Sequence, residues 1–317
     1  MSYYICMKRL LQIIVLVGLL LYLSSCTSIN KIYYEVLYPA DTLIDLNITK
    51  IDIVNKYWID YAQKKSGNDP YKFSIDSIFS FESIKTVYNS LTQSPRFAIA
   101  RVDTLPGDLV NSTYDRIELQ NVNIDIKVIT EPIKNYHNGM YYGAIQIAYS
   151  FNWALISWDN QNLYNKVYKD TVWVEGSKRQ FTNIADLVDF NNALYYIMNK
   201  TAVNFADAVS PHWRETYRYI FVNGHNDFVI AADLVADNKW DEAELLWQRH
   251  IYGNNRNLAG KANYNMAIKN EKDGNLLDAL HFINVAIEKY NFQPAKEYAP
   301  IIKKRIGNIA LIESQLP

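Results

Sequence analysis

Histidine is the side chain most often recruited for proton transfer and metal binding near neutral pH. Five are present, at positions 137, 212, 225, 250 and 281. They are scattered, without the i, i+4 or His-Glu pairing that a helical zinc site uses. The two cysteines, Cys6 and Cys26, fall within or at the end of an N-terminal leader, which leaves no thiol nucleophile for the rest of the chain. No G-x-S-x-G elbow is present, and no glycine-rich loop follows an expected strand, so neither a hydrolase nucleophile nor a phosphate cradle is indicated. Asp241, Glu242 and Glu297 read as solvated helix faces rather than as a paired acid and base. The expectation is a non-enzymatic protein with no cofactor and no metal site.

Binding chemistry has more to draw on. The chain holds 25 Tyr and 7 Trp. Trp153, Trp158 and Trp173, with Tyr149, Tyr164 and Tyr168, could stack as a flat platform for sugar rings. Tyr149, Phe151 and Trp153 alternate on one side of a strand and read as core. Trp158 lies beside a turn and Tyr164 and Tyr168 on the returning strand, so their side stays open, and these three form the candidate glycan platform. A second candidate is a groove on successive helices. There His225, Phe228 and Val235 would share a concave face with Lys261, Tyr264, Ile268 and Glu271, able to clamp an extended peptide. Asn263, Asn265 and Asn270 could join that groove, or Asn263 and Asn265 satisfy buried backbone groups between helices, and both readings stand.

The elements that must position these residues are clearest near the C-terminus. Residues 224–290 nearly repeat at an offset of 36: Ala231 falls on Ala267, Asn238 on Gly274, Ala243 on Ala279 and Trp247 on Ile283. Each copy predicts helix, tight turn, helix. Small residues allow close helix approach, and Asn238 and Gly274 are types that tolerate the left-handed conformation at helix ends. The pattern resembles the tetratricopeptide (TPR) repeat, which implies a protein-binding scaffold. A last helix from Pro294, with Ile302, Ile306, Ile309 and Leu311 or Ile312, would cap the stack.

Upstream, apolar β-prone runs predict strands around residues 32–37, 48–54 and 97–102. A helix with Ile84, Val87, Tyr88 and Leu91 on one face lies before the third, which suggests a βαβ unit. Val122, Ile124, Ile126 and Val128 alternate with polar residues. So do Ile145, Ile147, Tyr149, Phe151, Trp153 and Leu155, and after the turn at 159–162 the run 163–174 returns as the partner of a hairpin. From Ile184 to Val209 the period is helical, and Pro211 stops it. The expected fold is α+β: an N-terminal α/β sheet domain with an antiparallel hairpin at 32–180, then an all-α TPR-like domain at 181–317.

The formal charge of −1 and the absence of a basic excess exclude a nucleic-acid partner on electrostatic grounds. Residues 1–25 read as a signal peptide, with Lys8 and Arg9 before an apolar run at 10–23. Leu23-Ser24-Ser25-Cys26 resembles the bacterial lipobox, which implies a lipid on Cys26, a tether at 26–31 and a membrane partner through the acyl chains. Thr27 after the cysteine, with no acidic run following, points to an outer-membrane lipoprotein facing the periplasm.

Ser210-Pro211-His212-Trp213 with Arg218-Tyr219, and Lys261-Ala262-Asn263-Tyr264-Asn265-Met266-Ala267 with Glu271 and Gly274-Asn275-Leu276, resemble an uncharacterised family of Bacteroidota lipoproteins. That family carries a domain of unknown function, a lipobox, an N-terminal α/β part and TPR-like C-terminal helices. The resemblance implies an architecture and the cell envelope, and no reaction. Two functions follow as expectations: a scaffold binding an envelope protein through its helices, or a glycan-binding lipoprotein using the aromatic hairpin.

Overall fold

The computed structural model describes residues 29–64, 70–103 and 113–317. The signal peptide and Cys26 lie outside the described residues. Of the expected tether, residues 29–31 already belong to a strand, β1 (Ile29–Tyr38).

The fold is mixed α/β, a sheet region with antiparallel strands followed by a helical region. Alternating and β-branched runs build β2 (Lys50–Val54), β3 (Ala98–Asp103), β4 (Asp115–Lys134), β5 (Tyr141–Ile156) and β6 (Asn162–Lys178), ordered β3-β2-β4-β5-β6. β2 runs parallel to β3 and β4, whereas β4, β5 and β6 are antiparallel neighbours. Between β2 and β3 come α1 (Lys56–Lys64) and α2 (Pro70–Thr92), which supplies the expected crossover helix. Ile84, Val87 and Leu91 of α2 are buried in the sheet's core, while Tyr88 is 40% exposed. Phe79 of α2 meets Phe151 at 6.3 Å between ring centroids.

The helical stretch expected to open the second domain instead completes the first core. It is broken into α3 (Ile184–Leu187), α4 (Phe190–Met198), a π-helical turn (Asn199–Val203) and α5 (Asn204–Val209). Leu187, Ile197 and Phe205 are buried against the sheet, with Phe205 stacked on Trp153 at 5.4 Å. Gly176 is needed where α3 crosses the hairpin, because a Cβ there would collide with the backbone of Leu187 and Val188.

Two compact units result, one of residues 37–214 with 308–317, the other of described residues 29–36 with 215–307. The division does not follow the expected boundary at 180/181. The apolar stripe from Ile184 matches an uncovered sheet face, and β1 begins in the helical unit, where Ile32 packs on the core. β7 (His212–Phe221), a strand not expected from the sequence, pairs with β1 in a separate two-stranded sheet.

The helical unit follows with α6 (Asn226–Ala236), α7 (Trp240–Gln248), α8 (Arg256–Lys272), α9 (Leu276–Glu288) and α10 (Gln293–Glu313). Ala231, Ala243, Ala267 and Ala279 have no exposed surface, nor do Trp247 and Ile283. The turns end as expected, with φ of +60° at Asn238 and +82° at Gly274. Lys239 N–H reaches Leu234 C=O and Asn275 N–H reaches Asn270 C=O, the closing bonds of Schellman caps. Ile302 and Ile306 of α10 pack on the helical core, but Ile309 and Leu311 remain partly exposed. No helix among the described residues is long and apolar enough to cross a membrane.

Candidate functional site

Helix α8 carries an uncommon load of buried polar side chains: Asn263, Asn265, Asn270 and Glu271. Each amide would cost about 2–7 kcal/mol if left without partners, and the ionised Glu271 far more. Asn265 takes both backbone groups of one β7 residue, accepting from Phe221 N–H at 2.8 Å and donating to Phe221 C=O at 2.7 Å. It thereby pins the strand's end to the helix. Asn263 Nδ2 donates to Ile251 C=O and Ala259 C=O at 2.9 Å each, and Asn270 Nδ2 to Met266 C=O at 2.8 Å. Of the two readings of these asparagines, the structure selects backbone satisfaction.

Glu271 is the hub of the unit. Its Oε1 accepts from Arg218 Nη2 at 2.7 Å and lies 2.9 Å from Arg305 Nη1. Its Oε2 accepts from Arg218 Nε at 2.9 Å and from the hydroxyls of Tyr34 and Tyr298. Burial pushes this carboxyl up, but the Arg218 hydrogen bonds and charge, helped by Tyr298 and Tyr34, outweigh it and hold the group below its ordinary value. Burial, with the neighbouring carboxylate, pushes the Tyr34 phenol far up. Tyr298 is likewise raised, first by burial. Both therefore stay neutral donors.

Beside the hub a cleft of about 660 Å³ opens between β7 and α10, with Arg218, Tyr264 and Tyr298 in its wall. Its outer parts are apolar and aromatic: Ile29, Tyr217, Tyr219, Phe221, Pro294 and Ile301, with Glu297 as an exposed carboxylate. The rings brace one another edge to face, Tyr217 with Tyr219 at 5.7 Å and Phe221 with Tyr264 at 5.2 Å. Lys31 Nζ sits 3.9 Å from the Tyr217 ring centre. Arg218 is already committed, since Nη1 donates to Thr216 Oγ1 and Tyr217 C=O while Nε and Nη2 hold Glu271. The cleft thus presents fixed aromatic faces and hydroxyls rather than a free guanidinium. That composition suits an apolar or aromatic group held by stacking and burial.

The residues expected to share a groove do not do so. Phe228 and Ile268 have no exposed surface and belong to the helical core. Glu271 is the buried hub, because β7 and α10 pack over the face that a bare helix pair would leave open. His225 is exposed and caps α6. Lys261 is half-buried, donating to Asn223 Oδ1 at 2.6 Å. Tyr264 alone of the seven lines the cleft, its phenol pushed up to about 12 by burial. The aromatic platform also separates. Tyr164 packs 5.8 Å from Phe205 and Tyr168 sits against the same core, whereas Trp158 is 66% exposed in the turn. Inward strand positions and a turn position do not offer one open face. The cleft's Tyr217, Tyr219 and Phe221 were missed with β7. Their alternation with Arg218 and Ile220 is the period-two signal that marks the strand.

The site and fold define an α+β protein whose helical-repeat unit bears an aromatic cleft, and one family match falls on that unit. A domain of unknown function (DUF6340) is found at residues 229–304, which takes in α8, Glu271 and the α10 side of the cleft. No curated protein matches the chain. Among solved structures, a neuraminyllactose-binding hemagglutinin homolog from Helicobacter pylori is similar at 8% identity and a TM-score of 0.30, over 52% of this chain and 92% of that one. At so loose a superposition nothing of that protein's binding carries over.

Proposed function

We propose that the protein is a non-enzymatic, lipid-anchored scaffold of the bacterial cell envelope, facing the periplasm from the outer membrane. Its TPR-like helical unit binds a partner protein in the cleft between β7 and α10. The observation that carries this reading is the cleft itself: a pre-braced, largely apolar recess with exposed tyrosines. Tyr217 and Tyr219 are 49% and 41% exposed, and Ile301 is 41% exposed. Large rings held in place lose little conformational entropy on binding, which is why tyrosine is favoured where proteins meet. The occupant is an extended segment that presents an apolar or aromatic side chain, with Glu297 at hand for a basic neighbour. The lipid anchor rests on the Leu23-Ser24-Ser25-Cys26 signature.

The test is co-purification from solubilised envelope with the full chain and with Tyr219→Ala and Ile301→Asp. Both positions are surface-exposed, so melting should shift by less than about 0.5 kcal/mol equivalent. A stoichiometric partner captured by the unaltered chain and lost from both variants is the expected result. Capture that is indifferent to both variants, or retention that depends only on added sugar, would replace the scaffold reading.

A further inference from the structure

We propose that His225, Asp227 and His250 form a site for a divalent transition-metal ion of the zinc type. The site is independent of the cleft and its function. His225 precedes α6, Asp227 lies in its first turn, and His250 follows α7, so the antiparallel helix pair brings a sequence-distant imidazole to the start of its own first helix. One ligand atom from each of the three lies within 4.8 Å of the others. His250 Nε2 is 2.8 Å from Asp227 Oδ2, and His225 Nδ1 is 3.6 Å from the same oxygen. Donors bonded to one tetrahedral zinc at about 2.0–2.2 Å stand about 3.3 Å apart. The two spacings to Asp227 straddle that value, so small side-chain movements suffice there.

The surroundings favour the site in two ways. The two imidazole rings lie 4.5 Å apart between centroids, tilted by 52°, and His250 rests 5.7 Å from the Phe228 ring, which is fully buried and limits its motion. Two imidazoles and one carboxylate suit a borderline-soft ion, and three protein ligands leave a position for water. Loading the ion exchanges three present interactions, the first being the His250 Nε2–Asp227 Oδ2 hydrogen bond, whose two atoms both become ligands. Asp227 N–H now donates to His225 Nδ1 at 3.2 Å, and Arg249 Nη1 stands 3.8 Å from Asp227 Oδ2 on a side chain 63% exposed and free to turn outward. The bound ion would staple the beginning of α6 to the end of α7. The competing reading is a metal-free hydrogen-bonded cap built from the same three residues.

Cobalt(II) separates the two, because its visible absorption reports ligand number directly. The metal-free full chain in detergent is titrated with Co²⁺ alone, then with Zn²⁺ in competition. One equivalent of cobalt with the intense absorption of a four- or five-coordinate ion, displaced by zinc, is expected. His250→Gln and His225→Asn should each weaken binding at least ten-fold. His225→Asn keeps a side-chain acceptor at the helix start, so loss of binding there is not loss of the cap. His281→Gln, on the exposed side of α9, should bind as the unaltered chain does. Zinc should also raise the melting temperature of the unaltered chain and not of His225→Asn. Absence of cobalt binding by the unaltered chain, or equal binding by both ligand variants, overturns the site and leaves the cap.

Discussion

Glu271 has no exposed surface, and donors from Arg218, Arg305, Tyr34 and Tyr298 replace the water it gave up. Removing it strands two cations, Arg218 and Arg305, whose side chains are only 11% and 17% exposed. Breaking a buried ion pair from one side costs about 3–5 kcal/mol, a large part of the usual total of about 5–15 kcal/mol. Denaturant unfolding of Glu271→Ala should show that loss, and a change confined to a few tenths of a kcal/mol would show the hub to be dispensable. The same carboxyl sets a pH dependence. Its folded value lies below the ordinary 4.5, so the unfolded chain takes up the proton first as pH falls. The stabilisation is therefore complete above 4.5 and is lost as pH drops through the lower folded value. Unfolding measured from about pH 6 down to about pH 3 should show this decline in the unaltered chain and a shallower one in Glu271→Gln. Equal slopes would assign the decline to other carboxylates.

The helix pairs are the elements most legible in the sequence. Ala279 has no exposed surface, so Ala279→Leu must overpack the contact between α8 and α9. That should cost about 1–3 kcal/mol and lower the melting temperature. Lys261→Ala, at a half-buried position whose ammonium bonds to Asn223, should cost no more than the about 0.5–1.5 kcal/mol of one hydrogen bond. If Lys261→Ala melted as low as Ala279→Leu, Lys261 would be doing more than bonding Asn223. The small residues, the left-handed caps and the apolar stripe of these helices act within one or two turns, and that locality made them readable. β7 was not readable in the same way. Its ten residues mix Trp, Arg, Glu and Tyr, and its place is settled by pairing with β1, more than half the chain length away.

For the whole molecule, the lipid anchor is the claim that decides where the cleft and the candidate metal site act. Cys26→Ala should abolish acyl labelling and leave an uncleaved precursor, and labelling that persisted would end the lipoprotein reading. Protease added to intact cells should spare the protein, because Thr27-Ser28-Ile29-Asn30-Lys31 lacks the acidic run expected of surface export. Complete digestion would move it to the cell surface and favour a sugar ligand over a periplasmic protein.

Period and composition by themselves determined the α+β class, the antiparallel hairpin of β5 and β6, the crossover helix α2 and the repeated helix pairs. Each follows from which neighbours within a few residues can share an apolar face. Tertiary structure alone decided the rest. The helical run from Ile184 went to the sheet rather than to the repeats, because that sheet face lacked cover. The face carrying Tyr264, Ile268 and Glu271 was divided between core, hub and cleft, because β7 and α10 pack over it. His225 and His250 met at Asp227 only because α6 and α7 fold back on each other. Side-chain type is written locally, but burial and partnership depend on which distant segment arrives to cover a face, and one sequence read without its contacts does not contain that information.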